Sequence, residues 1–436
     1  MLKEFLKKVE TRTCRVGVIG LGYVGLPLAI SFCRASFTVV GLDIDPKKPE
    51  FLRAGKSYLR HIPSESFATF VKDGRLLATT DFSRAGECDA LIICVPTPLK
   101  EGREPDTSYI ENTGRQIAPR LRRGMLVSLE STTYPGTTED LLRPILEEGS
   151  GLRAGEDFFL VFSPEREDPG NPRFHTANIP KVLGGLTPDC RRAAAALYGA
   201  AIEKVVEVSS ASTAEMVKIF ENTFRAVNIA LVNELKLLCE RLDIDVWEVI
   251  SAAATKPFGF MPFWPGPGLG GHCIPIDPFY LTWRARQVEM TTRFIELAGE
   301  INTSMPYHVV DRVQQALNAR RKPLNGSSVL VLGVAYKADV DDVRESPAFR
   351  IIELLQKAGA RVQYHDPLVA EIVPTRHHKL SMKSVPLTVE ILRTVDCVLV
   401  VTNHKDIDYQ LVAREANLVV DTRHAVPRLG EHIVGA

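Results

Sequence analysis

The feature that most constrains the fold is a glycine-rich turn after a short apolar run near the start of the chain. Residues 15–20 read RVGVIG, and Gly20, Gly22 and Gly25 then form the pattern GxGxxG where a helical stretch begins. In a strand–turn–helix unit the first glycine makes the tight turn, the second lets the backbone approach a pyrophosphate, and the third allows close packing of helix on strand. The pattern predicts a dinucleotide site; a purely structural glycine turn is the competing interpretation.

An acidic residue after the next apolar run indicates which dinucleotide binds. Asp43 follows Gly20 by 23 residues. A carboxylate there accepts a hydrogen bond from the free 2′-hydroxyl of NAD and disfavours the 2′-phosphate of NADP. Asp45 is a second candidate because it lies two residues further on. The predicted cofactor is NAD.

Apolar runs alternate with helical patterns in the first half of the chain and again near its end. The strand candidates are residues 15–20, 38–45, 90–96, 126–132 and 158–164, then 329–334, 361–364, 397–402 and 418–421. Near-continuous apolar strands between helices are typical of parallel sheets covered on both faces. The predicted fold class is α/β, with two doubly wound Rossmann-like domains joined by a long central helix and a helical middle domain.

The middle of the chain has a different pattern. Residues 211–242 contain no proline or glycine, and their apolar residues recur at spacings of three and four, which predicts one long amphipathic helix. Further helices are predicted at 245–255 and at 288–318, the latter broken near Pro306, around a Pro/Gly-rich loop at 256–278. We expect domains at residues 1–209, 210–322 and 323–436, with the long helix as a dimer surface.

Composition excludes some classes of protein. The 436 residues carry 53 Lys+Arg and 53 Asp+Glu, so the strongly basic footprint of a nucleic-acid binder is missing. No apolar run approaches the roughly 20 residues that span a bilayer, and the first residues lack the apolar core of a signal peptide. Cys14, Cys94 and Cys397 lie in apolar runs and are expected to be small buried hydrophobes. We expect a cytoplasmic protein without a disulfide framework, a membrane partner or a nucleic-acid partner.

The segment GLGGHCIPID at residues 268–277 is the most unusual part of the sequence. Its glycines and prolines would hold Cys273 in a rigid, accessible loop, and a nucleophilic thiolate is the favoured interpretation. A buried loop thiol is one alternative, and a metal site of His272 and Cys273 is another. No metal is predicted, because this adjacent pair has no further Cys or His at metal-ligand spacing.

Polar residues on the long helix and at strand ends could supply the remaining chemistry. Lys218 and Asn222 are four residues apart and share a helix face. A lysine there is ordinarily solvated, but beside a thiolate it could lower the thiol pKa or stabilise an oxyanion. Glu165 follows one strand candidate and could act as a base, or could pair with Arg166. Thr132 ends another and could orient a water or cap a helix.

The later glycine region LGVAYK ends at Lys337 and lacks the full glycine pattern. A packing turn is the simple interpretation. The functional interpretation is that Lys337 points toward an anion, because ligands bind at the carboxyl ends of parallel strands.

Together these motifs resemble the UDP-sugar 6-dehydrogenases. The phrases GLGYVGLPLA, VPTP, SLESTTYPGTT, SPERE, KIFENTFRAVNIALVNE and GGHCIPIDPFYL occur in the order typical of that family, between about residues 14 and 425. FGFMPFWPGPGLGGHCIPIDPFYLTWRAR and RFIELAGEINTSMP are most similar to the bacterial UDP-N-acetylglucosamine 6-dehydrogenases of surface-polysaccharide pathways, including those for lipopolysaccharide.

The resemblance implies a four-electron oxidation of the sugar C6 alcohol that uses two NAD. The alcohol becomes an aldehyde, Cys273 adds to it as a thiohemiacetal, a second hydride transfer gives a thioester, and water releases the carboxylate. Lys218 and Asn222 would stabilise oxyanions and Asp277 would assist proton transfer. Glu165 would act on the hydrolytic water together with a threonine, Thr132.

The resemblance also implies binding residues. Those for NAD are Gly20, Gly22, Tyr23, Val24, Gly25, Asp43, Pro96, Thr97 and Thr132, and those for the UDP-sugar are Glu165, Arg166, Lys218, Asn222, Gly270, Lys337 and Arg423. The implied assembly is a homodimer. One departure concerns an arginine that some relatives place before the cysteine to reach the partner subunit's substrate. This loop offers Lys256 and Gly259 instead, and lysine does not replace arginine at a phosphate fork.

Two alternatives accompany this interpretation. Within the family, the substrate could be UDP-glucose or UDP-N-acetylmannosamine. In a different class, the chain could be a non-catalytic nucleotide-binding protein, which the presence of Cys273, Lys218, Glu165 and Asp277 disfavours.

Overall fold

The computed structural model describes residues 1–59, 62–100, 102, 104–166, 173–271, 274–375 and 378–436. It divides into two compact units. Unit 1 comprises Met1–Glu221 and Trp283–Met290, and unit 2 comprises Asn222–Thr282 and Thr291–Ala436. No helix in the described ranges is both long and apolar enough to cross a membrane.

Unit 1 is built around one large sheet. Its strands are β1 (Arg15–Ile19), β2 (Thr38–Leu42), β3 (Leu76–Thr79), β4 (Ala90–Ile93), β5 (Leu126–Leu129), β6 (Phe159–Phe162), β7 (Lys181–Gly185) and β8 (Val205–Glu207). Its helices are α1 (Leu2–Glu10), α2 (Gly25–Arg34), α3 (Lys47–Arg53), α4 (Ala68–Lys72), α5 (Ser108–Ile117), α6 (Arg143–Ser150) and α7 (Pro188–Gly199). Among the described residues the strand order is β3-β2-β1-β4-β5-β6-β7-β8.

The sheet of unit 1 is covered on both faces, as predicted. One apolar cluster includes Val16, Val18 and Phe32, and the other includes Ile19 and Leu91. Strands β1 to β6 pair in parallel, but β7 pairs antiparallel to β6. The expectation of a parallel sheet throughout was wrong at this point. The described part of the β6–β7 connection contains no helix, and only a parallel pair requires a helical crossover.

Unit 2 combines helices with a smaller parallel sheet. Helix α8 (Ala211–Leu242) begins in unit 1 and continues into unit 2 from Asn222. The helices that follow are α9 (Val246–Ala253), α10 (Asp277–Gln287), α11 (Arg293–Ala319), α12 (Pro347–Lys357), α13 (Val389–Thr394) and α14 (Tyr409–Glu415). Of these, α10 belongs to unit 1 from Trp283 onward. The strands are β9 (Ser328–Leu332), β10 (Arg361–His365), β11 (Glu371–Ile372), β12 (Met382–Lys383), β13 (Cys397–Val400), β14 (Val419–Asp421) and β15 (Ile433–Gly435).

The second sheet has the order β10-β9-β13-β14-β15, with every described pair parallel. The short strands β11 and β12 form a separate antiparallel pair. Helix α12 and strand β9 contribute to one apolar cluster through Phe349, Ile352 and Val331. The predicted α/β fold class, with two Rossmann-like sheets and a helical middle region, is confirmed.

Two expectations for helix α11 were wrong. Helix α11 continues through Pro306 and begins at Arg293 rather than 288. Proline removes one backbone hydrogen bond, but Met305, Pro306 and Val309 are buried, and this apolar packing offsets the loss.

The apolar face of α8 points outward, and the sequence pattern made no prediction of which face packs inward. The apolar stripe of α8 is exposed, and it consists of Met216, Phe220, Phe224, Leu231, Leu238 and Leu242. Polar residues are buried instead, namely Glu215, Lys218, Asn222, Asn233 and Lys236. At about 100° per residue the stripe spans an arc of about 80°. The pattern predicted the helix but not which face packs inward.

The described cysteines of the strands behave mostly as expected. Cys14 and Cys397 are buried free thiols, and burial raises the pKa of each to about 12. Cys94 is partly exposed rather than buried, because it lies just beyond the end of β4.

Candidate active site

The loop between β1 and α2 forms a cradle for a dinucleotide phosphate. Gly20 has φ +91°, and a Cβ at Gly25 would lie 1.8 Å from the Gly20 carbonyl oxygen, so both positions require glycine. A Cβ at Gly22 would meet nothing within 4 Å, which leaves open space beside the backbone. Val24 is the N-cap of α2 and has no side-chain oxygen, so the first N–H groups remain available for an anion. This geometry fits a pyrophosphate.

Asp43 holds this loop in place from the end of β2. It is buried, and its Oδ2 accepts hydrogen bonds from the Leu21 N–H and from Lys48 Nζ, each at 2.8 Å. Its Oδ1 accepts from the N–H of Asp45 at 2.9 Å. Asp45 itself is exposed. Of the two acids considered from the sequence, Asp43 is the one beside the glycine turn.

The predicted NAD residues after β4 and β5 lie beside one another. Thr97 is buried, and its Oγ1 donates to the Thr132 carbonyl at 2.6 Å. Ser131 Oγ donates to the Val95 carbonyl at 2.7 Å. Because β2, β1, β4, β5 and β6 are neighbours in that order, their carboxyl ends form one continuous edge. Tyr23 and Pro96 lie in loops at this edge.

The buried carboxylate of Glu215, which no sequence motif indicated, organises the loop after Thr132. Glu215 of α8 accepts from the Gly136 N–H at 2.6 Å and from the Thr138 N–H and hydroxyl at 2.9 and 2.6 Å. Burial raises the pKa of Glu215 to about 7, and the bonds from Thr138 oppose this rise. No motif indicated this role, because its partners lie more than 70 residues away.

Glu165 and Arg166 follow β6, as predicted. The backbone N–H of Arg166 donates to Glu165 Oε1 at 2.7 Å. The Arg166 guanidinium pairs with Glu221 at 2.5 Å and donates to the Pro180 carbonyl at 2.7 Å. Glu167 and Asp168 of the same segment lie outside the described residues, so the alternative that Arg166 pairs with a carboxylate of its own segment stays a prediction.

Lys218 is only 9% exposed. The ordinary interpretation of a solvated lysine does not hold for this residue. Burial of an ammonium requires compensation, so Lys218 is not a simple surface residue.

In unit 2, Asn222 and Asp277 are in direct contact. Both are buried, and Asn222 Nδ2 donates to Asp277 Oδ2 at 2.5 Å. Asp277 is the first residue of α10, which turns its carboxylate toward α8. Cys273, and His272 of the alternative metal site, lie outside the described residues.

The glycine loop before the cysteine packs on the second sheet's carboxyl edge, within unit 2. Gly266 N–H donates to Asn233 Oδ1 at 2.9 Å, and a Cβ at Gly266 would lie 2.6 Å from Arg423 Nη1. A Cβ at Gly270 would lie 2.7 Å from the Cβ of Tyr336, the neighbour of Lys337. The structure therefore brings three predicted substrate residues, Gly270, Lys337 and Arg423, to one edge.

Arg423 lies at the margin of a cavity of about 530 Å³ in unit 2. Its Nε donates to the Val401 carbonyl at 2.8 Å. Burial lowers the pKa of Arg423 to about 10, opposed by Asp421, so the guanidinium remains cationic at neutral pH. The cavity wall includes Trp247, whose ring stacks on Trp264 and on His424.

A second strand-end acid repeats the geometry of Asp43. Asp366 follows β10, and its Oδ2 accepts from the Val334 and Ala335 N–H groups of the β9 loop at 2.7 and 3.2 Å. His404 Nε2 donates to the same oxygen at 3.1 Å. Although burial opposes it, these bonds lower the pKa of Asp366. Asp366 thus fixes the loop that carries Lys337, a role that the degenerate glycine pattern did not reveal.

Comparison with known proteins assigns the chain to a protein family. Sequence models of the UDP-glucose/GDP-mannose dehydrogenase family match it in three consecutive parts: the NAD binding domain at residues 14–202, the central domain at 212–304 and the UDP binding domain at 330–428. The chain belongs to the UDP-glucose/GDP-mannose dehydrogenase family. The resemblance seen in the sequence is confirmed.

Individual relatives of this dehydrogenase differ in their named substrate. It is 38% identical over 357 residues to the UDP-N-acetyl-D-glucosamine 6-dehydrogenase of Pseudomonas aeruginosa, which covers 82% of this chain and 83% of that protein. It is 36% identical over 401 residues to the UDP-N-acetyl-D-mannosamine dehydrogenase of Campylobacter jejuni, covering 90% and 96%. The UDP-D-ManNAc dehydrogenase structure from Pyrococcus horikoshii matches 97% of this chain and 98% of that chain, with a TM-score of 0.87 at 32% identity.

These matches establish an NAD-dependent dehydrogenase of the UDP-sugar family, and the prediction of NAD as cofactor is confirmed. The glycine cradle and Asp43 fit that cofactor in unit 1. The residue roles assigned from the sequence stay predictions.

Proposed function

We propose that this enzyme oxidises the C6 alcohol of UDP-N-acetylglucosamine to the uronic acid in two steps, with Cys273 as the covalent nucleophile. When bound, NAD supplies the hydride acceptor for each step. The product would serve surface-polysaccharide synthesis, as the sequence resemblance implies.

The buried hydrogen bond between Asn222 and Asp277 carries this proposal. Asp277 lies four residues after Cys273, and Asn222 lies one helical turn after Lys218. A pair at 2.5 Å, with both side chains buried, keeps an amide donor and a carboxylate fixed beside the segment that contains the cysteine. Such preorganised groups suit the stabilisation of an oxyanion and the transfer of its proton.

The remaining residues have separate tasks in the proposal. Cys273 adds to the aldehyde through sulfur, and the aldehyde oxygen becomes an oxyanion that Lys218 and Asn222 stabilise. Asp277 assists the transfer of a proton to and from that oxygen. After the thioester forms, Glu165 accepts a proton from the attacking water.

Thr132 would help to orient that water, since its backbone carbonyl is held by Thr97. Lys337 and Arg423 would bind the UDP phosphates at the second sheet's edge. We assign NAD binding to residues 1–209, the cysteine and dimer surface to 210–322, and UDP-sugar binding to 323–436.

The proposed sugar rests on the substrates named for the relatives. The Pseudomonas aeruginosa protein supports UDP-N-acetylglucosamine at 38% identity, and the Campylobacter jejuni protein supports UDP-N-acetylmannosamine at 36%. UDP-N-acetylmannosamine is therefore the second candidate, and UDP-glucose is the third.

The deciding measurement is the NADH formed per sugar consumed with UDP-N-acetylglucosamine, its epimers and UDP-glucose. We expect two NADH per UDP-N-acetylglucosamine and slower turnover of the others. Preference for the manno epimer or for UDP-glucose would keep the mechanism and change the substrate. NAD binding with no NADH from any of these sugars would favour the non-catalytic alternative.

Covalent catalysis has its own test. Cys273→Ser should lose turnover yet bind NAD with unchanged affinity, because the glycine cradle is intact. Cys397→Ala, which alters a buried thiol of β13, is the control and should turn over normally. Full steady-state activity of Cys273→Ser would refute the thioester route.

We also propose that the apolar stripe of α8 pairs with the same stripe of a second copy. Exposed Phe224, Leu231 and Leu238 lie on one face of the helix, and contiguous exposed apolar surface marks an interaction site. A helix face of this kind is self-complementary about a two-fold axis. Leu231→Glu should convert a dimer to a monomer in light scattering, whereas Arg225→Gln, at an exposed position outside the stripe, should not. A monomeric wild type would refute the homodimer.

A further inference from the structure

Behind Glu165 lies a buried ion-pair cluster of unit 1 that the proposed mechanism does not use. Lys181, the first residue of β7, is 5% exposed, and its Nζ donates to Glu130 Oε2 at 2.8 Å. The same Nζ lies 3.8 Å from Glu165 Oε2 and 3.4 Å from the Pro164 carbonyl oxygen. One ammonium therefore faces two carboxylates at the edge of the sheet.

The other side of this cluster is tightly anchored. Tyr198 of α7 donates its hydroxyl hydrogen to Glu130 Oε1 at 2.5 Å, and its oxygen lies 2.8 Å from Ser128 Oγ. The Lys181 ammonium also lies 5.3 Å from the centre of the Tyr198 ring, a distance suited to a cation–π contact. Glu130 and Tyr198 thus fix the lysine from behind, so that its position does not depend on Glu165.

The energetics of the cluster do not suggest a simple stabilising bridge. Taking an ion pair out of water costs several kcal/mol for each charge, and a well-packed apolar pair is often as stable. Burial raises the pKa of Glu130, opposed by Lys181. For Lys181, burial lowers the pKa, but Glu130 and Glu165 outweigh it and the net direction is upward. The lysine is therefore a permanent cation at neutral pH beside Glu165.

We propose that Lys181 is a positioning residue for Glu165, whose carboxylate its ammonium, 3.8 Å away, holds in place for hydrolysis of the thioester. This inference rests on the proposed function, in which Glu165 acts on the hydrolytic water. An opposite charge within about 4 to 6 Å favours the ionised form of a carboxylate, and a proton acceptor must be ionised to act. Glu130 competes for the same ammonium and so sets how strongly Lys181 acts on Glu165.

In the step concerned, water attacks the thioester carbonyl carbon and a C–O bond forms. Glu165 takes one proton from the water. The C–S bond breaks, and the Cys273 sulfur leaves with the bonding electron pair. The sugar acid then loses its own proton to solvent, and no oxidant is needed.

The charged and titratable groups around Lys181 come from several elements. Among the described residues they are Cys94 after β4, Glu130 after β5, Glu165 and Arg166 after β6, and Tyr198 of α7. Arg166 is engaged by Glu221. Burial raises the pKa of Cys94 and of Tyr198 far above neutral, so neither carries charge in the working pH range. The net charge of the cluster therefore depends on Lys181, Glu130 and Glu165.

The experiment measures the pH profile of steady-state turnover in two single variants. In Lys181→Met the acidic limb should move to higher pH by about 1 to 3 units, because the carboxylate that takes the proton of the water loses the cation that lies 3.8 Å from it. In Glu130→Gln it should move to lower pH, because Lys181 then has one carboxylate fewer to balance. Intact mass after acid quench should show a sugar adduct accumulating on the enzyme in Lys181→Met below neutral pH. A purely structural role would move both profiles the same way or neither.

The double variant Lys181→Met/Glu130→Gln guards against misfolding, because it removes both members of the buried pair and leaves no orphan charge. Its acidic limb should still move to higher pH. Lys8→Met, which removes another lysine–carboxylate pair of unit 1, with Asp89, is the control and should leave the profile unchanged. A folded double variant with the wild-type profile and no adduct would overturn the inference. Failure of the wild type to form NADH from any UDP-sugar would instead refute the proposed function.

Discussion

Replacement of Lys236 by methionine should stabilise unit 2 at neutral pH. Lys236 lies on the inward face of α8 and is 3% exposed. Among the described residues its Nζ has no hydrogen-bond partner. Methionine keeps the length and volume of the lysine stem and removes the charge, so the substitution isolates the cost of the buried ammonium.

The size of the effect follows from the pKa. Burial lowers the pKa of Lys236 to about 8 from an ordinary 10.5, and Glu240 partly opposes this. Since one pKa unit corresponds to about 1.4 kcal/mol, the protonated folded form is penalised by about 3 kcal/mol. Below pH 8 the lysine is protonated in both folded and unfolded chains, so the whole penalty applies. As pH rises from 8 toward 10.5, folding becomes linked to proton release and the penalty fades.

The assay is urea unfolding at pH 7 and pH 10, followed by tryptophan fluorescence. Trp247 and Trp264 both belong to unit 2, so the signal reports mainly on that unit. We expect Lys236→Met to gain about 3 kcal/mol at pH 7 and much less at pH 10. Lys357→Met, at an exposed site of α12, should gain nothing at either pH.

Two results would refute this reasoning. An equal gain at both pH values would mean that apolar burial, rather than the charge, produces it. A loss of stability at pH 7 would mean that the ammonium is compensated in the folded protein by Glu240 and Asp421, the carboxylates that oppose the lowering of its pKa.

Four further substitutions test the loops at the two sheet edges. Glu215→Gln should cost about 1–3 kcal/mol at pH 8, because a buried N–H loses its acceptor. That deficit, read from melting temperatures, should widen at pH 6, because a carboxyl whose folded pKa is raised to about 7 lets the folded wild type take up a proton and gain stability as pH falls from 8, whereas glutamine does not titrate. Gly25→Ala should lower both melting temperature and NAD affinity, since its Cβ would lie 1.8 Å from a carbonyl oxygen, whereas Gly22→Ala should weaken NAD binding alone. Asp366→Asn should lower the melting temperature and raise the KM for UDP-sugar, because two N–H groups of the β9 loop lose the carboxylate oxygen that accepts from both. An unchanged KM would mean that this loop takes no part in substrate binding.

Local features of the sequence predicted most of the fold. The strand–glycine–helix unit is readable because its constraints act within a few residues: a positive φ at Gly20 and a close backbone approach at Gly25. The extent of α8 was predicted to the residue, since it depends on the absence of proline and glycine within it. Seven of the nine predicted strands run one to three residues past the observed end, whereas β14 ends where predicted and β10 runs one residue further than predicted.

The candidate site was only partly predictable. Residues at strand ends, such as Asp43 and Thr132, could be placed because the carboxyl ends of parallel strands meet at one edge. Glu215 and Lys181 could not, because each depends on a partner more than 50 residues away in the chain. The sequence alone does not show whether a charged residue will be buried.

The sequence by itself determined the dinucleotide turn, the preference for NAD and the alternation of strands and helices, because these follow from backbone sterics and short-range periodicity. Only the tertiary structure decided which face of α8 packs inward, the reversed direction of β7, and the burial of Lys181 and Lys236. Helical periodicity says that a helix has two faces, but the choice between them depends on the surfaces that distant segments present. For α8 that choice put the lysines inside and the phenylalanines in contact with solvent.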